Sequence, residues 1–197
     1  MAVIIALNII AFYLEITGLN PGAFIAQFAL IPSLVDLNNL ESLKPFITSQ
    51  FLHAGFIHIG SNMLFLWVFG DNVEERLGFL FFPVFYLMAG VVAGFAQYML
   101  MPDSNIPMLG ASGAVAGVLG AYFALFPHHS VKTLIPVFGF PAVVEISASV
   151  MLIYWFFTQL FAGAASLAID TSSTGGVAFF AHIGGFVTGW VIGKIKS

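Results

Sequence analysis

The chain has 197 residues, of which 60% are hydrophobic and 7% charged, and its formal net charge is -4. A mean hydropathy of +1.03 excludes an ordinary soluble domain and points to an integral membrane protein. The acidic balance, without any basic patch, excludes nucleic-acid partners, and the lack of cysteine excludes disulfides, thiolate chemistry and Cys-ligated metals.

In chain order, hydropathy and helix breakers predict six spans, roughly Val3–Thr17, Phe56–Val73, Phe79–Met101, Ser112–Phe126, Ala142–Phe161 and Val177–Ile195. Met1 to Glu15 lacks the positive n-region and small-residue cleavage site of a signal peptide, so it reads as the first span. Gly18 to Leu52 is too long for a turn and too apolar for an ordinary loop, which predicts a folded insert in or partly within the membrane interface. The fourth span offers fifteen residues before Pro127. At about 1.5 Å per residue that is roughly 22 Å, short of the ~30 Å hydrocarbon core. If its far end reaches the opposite interface, Ser112 starts below the membrane surface. The loop Asp103–Gly110 must then dip into the bilayer, where irregular backbone is tolerated only against protein or a water-filled cavity.

With both ends on one side, Arg76, Lys132, Lys194 and Lys196 share a compartment and only Lys44 lies outside it. The positive-inside rule therefore places both termini in the cytoplasm. Glycines recur at helical spacing in Gly90/Gly94, Gly113/Gly117, Gly185/Gly189 and Gly189/Gly193. Such pairs let helix backbones approach in lipid, where packing holds helices together. Gly110 stands apart, outside the helix and beside the serine.

In this topology the second, fourth and sixth spans all enter from the outer side, and their polar residues lie near those entering ends. His53, His58 and Asn62 flank the start of the second, Ser112 opens the fourth, and His182 lies in the first turns of the sixth. Polar groups within spans are costly and usually mark a functional path. A serine, an imidazole to take its proton, and an amide with a second imidazole to donate to an oxyanion are the components of acyl transfer. No third carboxylate is at hand, since Glu15 and Glu145 sit at the ends of other spans, so a Ser–His pair is expected rather than a triad. Ser112 would attack and His182 would act as base. The oxyanion would be met by the Ser112 backbone N–H, Asn62 and His58. Taken alone, a serine in a membrane helix is usually a packing residue. His53 reads as structural, and His128-His129 as a cation site at a helix end. A metal cluster of His53, His58 and His182 has neither a His-Glu-x-x-His motif nor a neighbouring carboxylate behind it.

These residues resemble the rhomboid family of intramembrane serine proteases. The resemblance rests on Gly110-Ala-Ser112-Gly113, on Ala181-His182 followed by Gly185 and Gly189, on His58-x-x-x-Asn62, and on the turn Glu74-Glu-Arg76-Leu-Gly78. It implies an all-α, six-helix rhomboid bundle with a long membrane-embedded first outer loop, forming one peptidase domain over residues 1–197 in a prokaryotic plasma membrane. It implies hydrolysis of peptide bonds in or beside transmembrane segments of other proteins, with no cofactor. Ser112 would be the nucleophile, His182 the base, and Asn62, His58 and the backbone near Gly110 the oxyanion and first-pocket lining. The aromatic run Ile153–Phe157 would lie where substrates enter.

Two features depart from familiar bacterial members. Ala116 replaces an aromatic residue that packs on the catalytic histidine, and Gly18–Leu52 lacks the Trp-Arg pair of the first loop. Two other classes of function compete with the protease: an inactive relative that binds transmembrane helices, and a small transporter or channel. The latter requires polar residues along a path to both faces, whereas here they gather at the outer end.

Overall fold

A computed structural model describes residues 1–137, 140–168 and 178–197, and is mostly helical. The order is α1 (Ala2–Thr17), α2 (Pro21–Phe28), α3 (Leu40–Leu43), α4 (Pro45–Thr48), α5 (Phe56–Leu77), α6 (Phe81–Leu100), α7 (Ser112–Leu125), the strands β1 (Ser130–Val137) and β2 (Phe140–Ser147), then α8 (Ala148–Ala168) and α9 (Phe179–Lys196). Single 3-10 turns at Pro32–Leu34 and Ser49–Phe51 punctuate the first loop.

The six longest helices overlap the six apolar stretches read from the sequence. By length and apolarity alone, α6 and the Ala148–Leu167 part of α8 suffice to cross a membrane. α5, which meets the Leu40–Phe51 segment at an 81° bend, is a third candidate, and α1 and α7 are shorter apolar helices. Large apolar side chains cover the outside, among them Leu7, Ile10, Trp67, Tyr154, Phe157, Phe161 and Val191. That surface suits lipid and would be untenable in water.

The core is built around α7. Every residue from Gly113 to Tyr122 is buried, and a helix that is apolar all round belongs inside a bundle. Its side chains are mostly Gly and Ala, so its neighbours come close. The tightest of them is α9. A methyl group on Gly185 would lie 2.0 Å from the Gly113 carbonyl oxygen, and one on Gly189 1.7 Å from that of Gly117. On the facing side, a methyl on Gly120 would lie 1.9 Å from the Phe186 carbonyl oxygen. The predicted small-residue pairs on these two helices thus form one continuous seam. Gly90 and Gly94 serve a different contact, because their missing side chains make room for Gln50, Leu30 and Phe46 of the first loop. Phe46 also stacks on Phe95 of α6 at 4.3 Å between centroids, which anchors the folded insert expected over Gly18–Leu52.

The predicted fifth span is corrected. Residues 142–147 belong to β2, not to a helix, and α8 runs from Ala148 to Ala168. β1 and β2 pair antiparallel, with Lys132 opposite Glu145 and Leu134 opposite Val143. The physical reason is local: Val131, Thr133 and Ile135 alternate with outward-facing Lys132, Leu134 and Pro136, and alternating β-branched residues favour a pleated strand. A hydropathy window averages over that alternation and cannot tell an apolar strand from an apolar helix. The expected start of the sixth span at Val177 lies outside the described residues; the helix there begins at Phe179.

Candidate active site

The α7–α9 seam fixes the site. Ser112 is the first residue of α7, one position before Gly113, and His182 lies three positions before Gly185 on α9. Clamping those glycines together carries the two side chains to one level, where Ser112 Oγ is 2.9 Å from His182 Nε2. The start of α9 is held from a third helix. Gln97 Oε1 of α6 accepts from the N–H groups of Phe180 and Ala181 at 3.2 and 3.4 Å. These first-turn donors have no acceptor within their own helix, so Gln97 acts as a cap supplied from outside it.

The other ring nitrogen of His182, Nδ1, lies 2.7 Å from Gln159 Oε1 on α8. One turn before Gln159 on the same face, Trp155 lies against the His182 ring with centroids 5.8 Å apart and planes at 35°. Gln159 has no place among the sequence expectations, and Trp155 enters them only within the aromatic run Ile153–Phe157. The ring absent at Ala116 is supplied by a different helix, and the third hydrogen-bonding group is a neutral amide, not a carboxylate. The i, i+4 spacing of Trp155 and Gln159 on a mostly apolar span is the available signal.

On the opposite side of Ser112, Gly110 adopts φ +127°, a conformation that side chains disfavour. A methyl group there would lie 2.8 Å from both Cε1 and Nε2 of His58 and 3.7 Å from Ser112 Oγ. Gly110 therefore creates the space in which His58 approaches the serine. Its own N–H is spent on the Ser49 carbonyl at 2.9 Å, so it offers room and backbone shape rather than a free donor. His58 Nδ1 accepts from Ala54 N–H at 3.4 Å, which leaves Nε2, the nitrogen beside Gly110, to carry the proton of the neutral ring. One turn along α5, Asn62 is buried, and its Nδ2 has no hydrogen-bond partner among the described residues. His58, Asn62, Ser112, Trp155 and His182 together line a cavity of about 680 Å³. A buried donor with no partner among the described residues, in the same cavity as the Ser112 hydroxyl, is available to a ligand oxygen.

His53 stands back from this cavity. It is fully buried between Phe12 of α1 and His58, and its backbone N–H donates to Glu15 Oε2 at 3.0 Å. Burial, with His58 close by, lowers the His53 ring to about 4, so it is neutral at pH 7. His129, at the far end of α7, packs on Phe126 and approaches Tyr122 Oη at 3.4 Å. Among the described residues, no three His, Asp or Glu side chains are gathered in a way that could hold a metal.

Such a fold, a helical bundle with an apolar exterior and a serine and an imidazole meeting inside it, is that of a helical membrane protein. A family model described as Rhomboid domain matches residues 41–197, and the chain belongs to the rhomboid family. It is 34% identical over 171 residues to Rhomboid protein 1, mitochondrial, of Saccharomyces cerevisiae, covering 82% of this chain and 45% of that protein. It is 36% identical over 104 residues to Rhomboid-like protein 11, chloroplastic, of Arabidopsis thaliana, covering 51% and 37%. Against the mouse Presenilin-associated rhomboid-like protein, mitochondrial, identity is 32% over 123 residues, covering 58% and 33%. The chain thus spans less than half the length of these relatives. Their names place them in mitochondria and chloroplasts, which gives the expected prokaryotic plasma membrane no support.

Proposed function

We propose that residues 1–197 form one intramembrane serine endopeptidase domain that cleaves transmembrane segments of other membrane proteins with a Ser112–His182 pair. The observation that carries this reading is the 2.9 Å contact between Ser112 Oγ and His182 Nε2, at the wall of a cavity also lined by Asn62, whose Nδ2 has no partner among the described residues. Ser112 passes its proton to His182 Nε2 as Oγ attacks the substrate carbonyl, forming a tetrahedral intermediate. Charge on the carbonyl oxygen is met by Asn62 Nδ2, by the N–H of Ser112 at the positive end of α7, and by the Nε2–H of His58. His182 then returns the proton to the leaving amine, an acyl-enzyme remains, and water releases it by the same steps in reverse. The lipid-facing exterior supports a bilayer partner. The basic residues at the cytoplasmic ends of the helices support termini on that side, with the cavity toward the outer face.

Purified protein in proteoliposomes is expected to cut a reporter carrying a transmembrane segment with small residues at its outer end. Ser112→Ala and His182→Ala should each abolish cutting while leaving thermal unfolding unchanged. Retained cleavage in a folded Ser112→Ala variant would falsify the assignment, and solute flux without proteolysis would favour a transporter.

A further inference from the structure

From α8, the Gln159 side chain reaches His182, and its amide is held in a defined direction. Thr158 Oγ1 lies 2.6 Å from the Trp155 carbonyl oxygen. A hydroxyl has a single proton, so donating it there leaves Thr158 Oγ1 as an acceptor. Gln159 Nε2 sits 3.1 Å from that oxygen. Only the NH2 end of an amide can satisfy it, and the reversed amide would set two lone pairs against each other. The Gln159 carbonyl end must therefore face His182 Nδ1 at 2.7 Å. An acceptor at Nδ1 requires a proton on Nδ1, and a neutral imidazole then has its lone pair on Nε2, the nitrogen facing Ser112 Oγ.

We propose that Gln159 is a positioning residue that fixes the His182 tautomer, through a polarity set by Thr158 and relayed to the Ser112 hydroxyl. This rests on the reading of Ser112 and His182 as nucleophile and base. The role matches that of the carboxylate in a triad, without its charge. A neutral amide suits a centre inside a bundle, because burying a carboxylate carries a desolvation cost that an amide largely avoids. It directs the lone pair but neutralises the imidazolium only weakly, so the rate contribution is smaller than a carboxylate's. Where a carboxylate holds the base, a wrong tautomer costs about 10⁴-fold. Here about 10²-fold or less is expected.

The test uses the full chain, labelled with 15N-histidine, with the His182 signals assigned by comparison with His182→Asn. Neutral His182 in the wild type is expected to carry its proton on Nδ1. Gln159→Leu should move population to the Nε2–H form and lower kcat by about 10 to 10²-fold at unchanged KM. Gln159→Glu should restore both, since a carboxyl group in either protonation state presents an oxygen to Nδ1–H. If Gln159→Leu does not fold, Gln159→Met removes the same acceptor with a flexible chain of similar length. A wild-type ring protonated on Nε2, or a Leu or Met variant that keeps the Nδ1–H form and full kcat, overturns the proposal. Ring shifts are read without turnover. A chain that cuts nothing would thus sink the nucleophile assignment while the tautomer result still decides the role of Gln159.

Discussion

The helix that carries His182 and the helix that touches its ring are built on opposite plans. α9 lies on α7 through glycines so close that a single methyl group at Gly185 or Gly189 would overlap backbone atoms. α8 is made of large aromatic and aliphatic residues, many of them facing outward, including Tyr154, Phe157 and Phe161. Packing through small residues gives a short, stiff contact, because backbone has no rotamers to yield. Packing through exposed bulky side chains gives a compliant one. Ser112 and His182 therefore sit on the rigid seam, while Trp155 and Gln159, which contact the His182 ring, sit on the looser helix. The difference suggests a division of labour: the seam keeps Ser112 and His182 together, and α8 tunes how well they work.

That contrast can be broken at several points. The largest effect is expected from Gly189→Ala, whose new methyl would lie 1.7 Å from the Gly117 carbonyl oxygen. Forcing α7 and α9 apart should cost about 3 kcal/mol or more in thermal unfolding and remove activity with it. Gly60→Ala is the control. Nothing lies within 4 Å of its added carbon, and helix propensity predicts a change of no more than about 1 kcal/mol, in the stabilising direction. Equal losses at both glycines would dissolve the distinction between seam and surface. Next comes Asn62→Ala, which removes a donor that nothing else among the described residues engages. It should lower kcat by ~10²-fold with unfolding unchanged, as for other oxyanion donors. The smallest of the three is Trp155→Leu. It keeps an apolar side chain on α8 but removes the ring beside His182, and about a tenfold loss in kcat/KM is expected, with stability moved by less than about 2 kcal/mol. A loss of folded protein there as large as at Gly189 would show that α8 is part of the rigid frame.

Much of this arrangement was legible in the sequence because it depends on local signals. Gly-Ala-Ser-Gly at the head of a short apolar helix, and Ala-His followed by glycines four apart, identify the two partners and the surfaces that bring them together. His58 and Asn62 share a face by spacing alone. What escaped was set by tertiary neighbours or by a competing periodicity. The apolar residues of β2 satisfied a hydropathy window as well as a helix would, and so the fifth span was placed six residues early. Trp155 occupies a role that the sequence left open at Ala116, because a ring can reach an imidazole from any of the surrounding helices. Gln159 is not legible as a third group because it is no carboxylate, although its amide carbonyl accepts the same N–H.

The central claim is that the Ser112 hydroxyl is activated by His182 inside the folded bundle. Its most direct test is exposure of purified protein to a fluorophosphonate, followed by intact-mass measurement and peptide mapping of the adduct. One phosphonyl group per chain, located on Ser112 and absent from a folded His182→Ala variant, is the predicted result. No adduct on the folded wild type, or equal labelling when His182 is removed, would contradict the account.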